Sequence, residues 1–247
     1  MSDQVKVLLL GGTGRTGGRI LKQLLERGVA VRAIVRSSAR LPEGVAGHER
    51  LEVIEADLLS LSDADLKTHV TGCDAIISCL GHTTSTLKGI FGPPRDLVTQ
   101  AVARACTAVQ ALKPEKAIKL VLMSSVSVNG PRAADARRGA FERVFLWVFR
   151  SLMPPAADNQ NAAGYLQNKI GLVDPAIQWV VVRPDSLMEG DVSEYTLHEG
   201  LVTGLFKPKT TAMANVAHFM CELVTKQQVW EAWKGKIPVI VDTKGKE

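Results

Sequence analysis

Near-continuous apolar runs alternate along this chain with segments of helical periodicity. VKVLLL (5–10), VAVRAIV (29–35), LEVIEA (51–56), DAIISCL (74–80), KLVLMSSV (119–126) and IQWVVVR (177–183) read as strands, and IPVIV (237–241) as the last. Runs with so few polar interruptions suit parallel strands buried on both faces. Between them, RILKQLLERG (19–28) places Ile20, Leu21, Leu24 and Leu25 on one helical face, with Gly28 as a C-cap. PPRDLVTQAVARACTAVQALKP (93–114) opens on proline and closes before another, which brackets a long helix. The alternation predicts an α/β fold: a doubly wound parallel sheet of about seven strands with helices on both faces.

One region breaks the alternation. From Asn129 to Gly164 lies an insertion containing AFERVFLWVFRSLMPP. At helical spacing Phe141, Val144, Phe145, Val148 and Leu152 share a face, and Leu146, Trp147, Phe149 and Met153 make the remainder apolar too. Such a helix packs on its own domain, joins two copies into a homodimer, covers a substrate or touches a membrane. It is too short to span one. The expected organisation is one domain over 1–247, with this helical insertion at 129–164 and a small substrate region at 185–236.

The strongest chemical signal lies in VKVLLLGGTGRTGG, where Gly11, Gly14 and Gly17 form GxxGxxG between a predicted strand and a predicted helix. Glycine permits the tight turn, lets the backbone approach a pyrophosphate and allows the helix to pack on the sheet. The helix start then offers N–H groups and a positive dipole end to phosphate. The loop residues Thr13, Arg15 and Thr16 belong to the same expected site. An NAD site carries an acid at the end of the second strand, for the ribose hydroxyls. Here that strand ends IVRSSAR, with Arg36 in the acid's place and Arg40 nearby. A guanidinium fork suits an extra phosphate, so the expected cofactor is NADP(H). The alternative is that these arginines are ordinary surface charges. Asp57 and Leu58 of EADL fall where adenine would lie, and Leu80 and Gly81 of CLGHTT fall beside the nicotinamide ribose.

Composition narrows the class. The 46% hydrophobic and 22% charged fractions are ordinary for a globular protein. No apolar stretch reaches the roughly 20 residues of a membrane span, and no signal peptide is expected. Four scattered cysteines predict reduced thiols in a cytoplasmic protein. Five histidines form no HxxxH or HExxH pair, so no built-in metal site is expected. The net charge of +5 is dispersed, and no nucleic-acid partner is expected.

GGTGRTG, the Arg after the second strand, EADL, the SS of LMSSVSV and VVVRPDSL together resemble the short-chain dehydrogenase/reductase superfamily, in its atypical NAD(P)H-binding (NmrA-like) branch. The resemblance covers nearly all the chain and implies a Rossmann fold. It also implies a catalytic Tyr and Lys one helical turn apart, with a Ser from the fifth strand. AAGYLQNKIG supplies Tyr165 and Lys169 at i and i+4, and Ser125, with Ser124 as the alternative, supplies the third group. In that scheme Tyr165 protonates a carbonyl while Lys169 lowers the phenol's pKa and holds the nicotinamide ribose. The interval from Ser125 to Tyr165 exceeds the family's usual one because the insertion lies inside it. RPDSL resembles the family's RPG turn, which gives Pro184 a place at the nicotinamide carboxamide. Asp185 replaces the glycine there and either faces substrate or stabilises the turn. The expected function is NADPH-dependent reduction of a small carbonyl, quinone or related electrophile, with an apolar substrate suggested by the insertion. The second reading is an NADP(H)-binding sensor or regulator without turnover.

Overall fold

The structure is a computed structural model that describes residues 5–82, 86, 90–130, 135, 138–204 and 208–243. Residues 83–85 and 87–89, 131–134 and 136–137 of the expected insertion, and 205–207 of the expected substrate region lie outside the described residues. Six parallel strands lead the sheet: β1 (Lys6–Leu10), β2 (Ala30–Val35), β3 (Leu51–Glu55), β4 (Ala75–Ser78), β5 (Ile118–Met123) and β6 (Ile177–Pro184). They stand in the order β3-β2-β1-β4-β5-β6, the dinucleotide-fold order, and β10 (Val239–Asp242) extends the row parallel to β6. An eighth strand, β8 (Tyr195–His198), adds antiparallel to β10. It was not among the strands expected, because YTLH is too short to carry a period of its own. Two further short strands, β7 (Ser186–Met188) and β9 (Thr210–Ala212), pair with each other in a separate ribbon.

Alternation along each strand divides the core. Leu8 and Leu10 of β1 point to a cluster with α2 (Asp63–Val70), α3 (Leu97–Leu112) and α5 (Pro154–Tyr165). Val7 and Leu9 point to the opposite cluster with α1 (Arg15–Glu26), α6 (Met213–Thr225) and α7 (Gln227–Trp233). Each such leucine, fully buried, contributes about 1.5–3 kcal/mol against exposure, so the two-sided burial that the sequence announces is the main stabilising term.

α3 begins three residues after the proline pair that suggested its start. Its N-terminal Asp96 makes no capping hydrogen bond. Instead the Val98 and Thr99 N–H groups donate to the carboxylate of Asp158, a buried residue of α5. The cap is tertiary, which no local pattern could announce.

The insertion contains α4 (Ala140–Leu152), and its orientation overturns packing against the domain as the fate of its main apolar face. Phe141 is 73% exposed, Trp147 70% and Leu152 66%, whereas Leu146 is buried on the other side. Arg143 and Arg150 anchor it, donating to the Arg138 and Ser127 carbonyls. α4 is therefore held through its polar face. Among the described residues no helix is long and apolar enough to cross a membrane.

Candidate functional site

The glycine loop closes over the end of β1. Gly11 sits at φ +84°, and a Cβ there would lie 2.7 Å from the Cys79 carbonyl oxygen. The loop thus rests on the end of β4, at the point where the strand order reverses. The Gly14 N–H donates to the Gly11 carbonyl at 3.0 Å, and a Cβ on Gly17 would collide with that same oxygen. Gly14 is the N-cap of α1; it supplies no side-chain cap, and no acid stands in the first turn. The helix start is left as an acceptor site for negative charge.

Above this loop opens a cavity of about 700 Å³, in the ordinary range for small-molecule sites. Gly11, Thr13, Gly14, Arg15, Thr16 and Gly17 form one wall. Arg36 and Arg40 stand at the end of β2, and Asp57 and Leu58 follow β3. Leu80, Gly81 and His82 follow β4, and Met123, Leu187 and Met213 close the far end. The uncapped helix, the crowded glycines and the three arginines all fit a phosphate-bearing dinucleotide.

Several supports were not legible in the sequence. Arg104 of α3 donates to the carbonyls of Leu58, at 2.8 Å, and Leu59, at 2.9 Å, which pins the loop after β3. Asp57 turns part of its carboxylate inward, accepting from the Leu59 N–H at 3.0 Å. Glu55 accepts from the Ser38 N–H, and hydrogen bonding by Ser38 holds its carboxyl below the usual carboxylate range. His82 Nε2 lies 2.8 Å from Asp158 Oδ2, with both side chains buried. Asp158 also takes the Val98 and Thr99 N–H groups and the Thr99 hydroxyl, so it joins β4's exit loop to α3 and α5. Burial pushes the Cys79 thiol far up, and the Cys221 thiol adds to this, which leaves Cys79 protonated beside the cavity.

The expected catalytic group is not gathered in one place. Ser125 borders a separate, smaller cavity of about 200 Å³, together with Pro184 and Asp185. Its hydroxyl lies 2.6 Å from that of Ser127. Ser124, the alternative, is buried, and among the described residues its hydroxyl has no hydrogen-bond partner. Tyr165 ends α5 and borders neither cavity. Burial raises its phenol, with Cys106 and Asp174 adding to the rise. Asp174 accepts from the Ala176 and Ile177 N–H groups at the start of β6, the sheet edge opposite the glycine loop. Tyr165 also lies seven residues beyond Asp158, about 10 Å of helix rise. Lys169 falls in a π-helical turn, Leu166–Ile170, and faces solvent. The i,i+4 spacing that suggested a pair assumes a regular helix through both residues, and the wider turn removes that premise.

Asp185 takes the second of its two readings. Its Oδ2 accepts from the Thr203 hydroxyl at 2.9 Å and the Lys209 N–H at 3.0 Å, so it ties the turn to the start of β9. Among the described residues, the apolar side chains of α4 border neither cavity.

Fold and glycine loop define a Rossmann-type dinucleotide-binding protein. The sequence pattern of the NAD(P)H-binding family matches residues 11–227, and the chain belongs to that family. An uncharacterised chloroplastic protein of Arabidopsis thaliana is 28% identical over 217 residues, covering 83% of this chain and 74% of the relative. The chloroplastic protein TIC 62 of Arabidopsis thaliana is 29% identical over 73% of this chain, which spans only 27% of that longer protein. Among solved structures, a short-chain dehydrogenase/reductase of Veillonella parvula in complex with NADP superposes with a TM-score of 0.67 at 14% identity, over 98% of this chain and 97% of that one.

Proposed function

We propose that the protein is an NADP(H)-dependent oxidoreductase that reduces a small carbonyl, quinone or related electrophile. The observation that carries the cofactor choice is the ring of Arg15, Arg36 and Arg40 on the cavity wall, with arginine where an NAD site has an acid. When bound, a reduced nicotinamide supplies hydride. In this reading the glycine loop and the start of α1 hold the pyrophosphate, and Arg36 and Arg40 hold the ribose phosphate. Asp57 and Leu58 border the adenine, and Leu80 and Gly81 the nicotinamide ribose. Pro184 shapes the backbone beside the carboxamide.

Reduction of a carbonyl also consumes a proton at oxygen. Among the described residues bordering the large cavity, the side chains with exchangeable protons are Arg15, Arg36, Arg40, Thr13, Thr16, Asp57, Cys79 and His82. The guanidiniums and the aliphatic hydroxyls of Thr13 and Thr16 do not release theirs, Cys79 is a weak acid, and Asp57 is engaged in its own turn at the adenine side. His82, held by Asp158 beside Gly81, is the remaining imidazole and the proton source in this proposal. Ser125 borders the smaller cavity and is given no part in the step. Tyr165 and Lys169 have no role in the step.

The test follows NADPH consumption with a panel of aldehydes, ketones and quinones, on wild type, His82→Asn and Tyr165→Phe, with NADPH binding measured separately. The proposal expects turnover to fall about 100-fold or more in His82→Asn and to stay near wild type in Tyr165→Phe. Loss in Tyr165→Phe alone would return the proton to Tyr165. The second reading, a cofactor-binding regulator, is favoured by the dispersal of Ser125, Tyr165 and Lys169. It expects tight NADPH binding with no turnover on any member of the panel.

A further inference from the structure

Arg15, Arg36 and Arg40 border one cavity, and among the described residues none of the three forms an ion pair. An acid nevertheless stands on the neighbouring strand. Glu55 ends β3 directly opposite Val35, the last residue of β2, and Arg36 follows Val35. The Glu55 side chain is exposed and does not border the cavity; its carboxylate accepts from the Ser38 N–H at 2.9 Å.

That bond completes what the local sequence leaves open. Ser38–Arg40 form a single 3₁₀ turn, and Ser37, extended at φ −157° and ψ 125°, gives it no side-chain cap. The first N–H groups of a turn have no partner within it. Glu55 supplies the acceptor from β3, and the Ser38 side chain strengthens the hold. The turn closes through the Arg40 N–H on the Ser37 carbonyl, at 3.3 Å, and the Leu41 N–H on the Ser38 carbonyl, at 3.0 Å. Just beyond, Pro42 packs on α1: a Cβ at Gly18 would lie 2.9 Å from the Pro42 ring. The segment is thus fixed at two points, by Glu55 ahead of Arg40 and by α1 after it.

A guanidinium grips phosphate through directional donors in a rigid fork, so the placement of its backbone matters as well as its charge. Arg36 lies ahead of the Glu55 anchor, and Arg40 lies between the two anchors. We infer that Glu55 is a positioning residue for cofactor specificity: by holding Ser38 it sets Arg36 and Arg40 around one phosphate, and so favours NADP(H) over NAD(H). This role rests on the cofactor reading above, in which both arginines hold the ribose phosphate.

Two other roles for the carboxylate would act in the opposite direction. As an acceptor for the ribose hydroxyls, Glu55 would favour NADH. As a bare negative charge near the phosphate, it would oppose NADPH. Its engagement with Ser38 and its place off the cavity wall argue against both.

The experiment measures binding of NADPH, NADH, adenosine 2′,5′-bisphosphate and AMP by calorimetry, on the intact wild type, Glu55→Ala, Glu55→Gln and Arg36→Asp. Glu55 is exposed, so its replacement leaves the core untouched. Wild type should bind NADPH more tightly than NADH. Glu55→Ala should lose about fivefold or more in affinity for NADPH and for the bisphosphate, the net effect of one hydrogen bond, with NADH and AMP within about twofold of wild type. Glu55→Gln keeps an acceptor oxygen for the Ser38 N–H and should recover most of that loss. A merely structural role would weaken all four ligands together, and that result would overturn the inference. So would NADPH binding in Glu55→Ala that is unchanged or tighter, or a loss confined to NADH. A preference for NADPH that Arg36→Asp abolishes and Glu55→Ala keeps would remove Glu55 and leave the cofactor reading standing. Wild type without that preference would remove both.

Discussion

Asp158 and His82, 76 residues apart in the chain, meet at 2.8 Å behind the end of β4. The carboxylate is fully buried and also receives the N–H groups of the second and third residues of α3, so one side chain caps a helix and orients an imidazole. Removing it orphans several buried donors at once. Asp158→Ala should therefore destabilise the fold by about 3 kcal/mol, read as a lower urea midpoint at unchanged slope. Asp158→Asn, which keeps one acceptor oxygen, should lose less.

The glycine loop predicts a steric effect. A methyl group at Gly17 would collide with the Gly11 carbonyl, which belongs to backbone and cannot rotate away. Gly17→Ala should weaken NADPH binding by more than tenfold and cost about 1–3 kcal/mol of stability, measured by nicotinamide fluorescence and thermal unfolding.

Cofactor preference should follow the charge at the end of β2. Arg36→Asp should reverse the NADPH-over-NADH binding ratio, with a loss of about 1.5–3 kcal/mol for the 2′-phosphate, roughly tenfold to over a hundredfold. An unchanged ratio would make Arg36 a surface charge.

The Arg183–Asp135 pair is buried, with Arg183 also donating to the Ile237 carbonyl at 2.9 Å. Asp135→Asn should cost about 3–5 kcal/mol, because it strands a buried cation rather than deleting a contact. Arg183→Met together with Asp135→Leu should recover much of that loss.

Alkaline stability should reflect the thiols. Burial pushes Cys106 and Cys221 up to about 12, against an ordinary value near 9. Between those limits the unfolded chain releases protons that the folded chain retains, so stability is intact below about pH 9 and falls as pH rises toward 12. Urea midpoints taken from pH 8 to 11 should drop, and should drop less in Cys106→Ala.

What the sequence alone determined is whatever repeats locally. Strands such as IQWVVVR and the spacing of Gly11, Gly14 and Gly17 follow from period and from backbone sterics, so the sheet and the loop on α1 were legible. The cavity wall around Arg36, Asp57 and Gly81 was legible for the same reason: each residue follows a parallel strand, and parallel strands end on one edge. What only tertiary structure decided depends on partners distant in the chain. Tyr165 ends α5 away from both cavities, and the π turn that follows at Leu166–Ile170 breaks its regular spacing to Lys169, although the motif reads the same on paper. The polar anchoring of Arg143 and Arg150 turns the apolar face of α4 outward, against what its composition suggests. Asp158 and Arg104 look like ordinary helix-surface charges until folding turns them inward. Burial, not residue type, makes them organise the site, because a charge removed from water must be answered by whatever the fold places beside it.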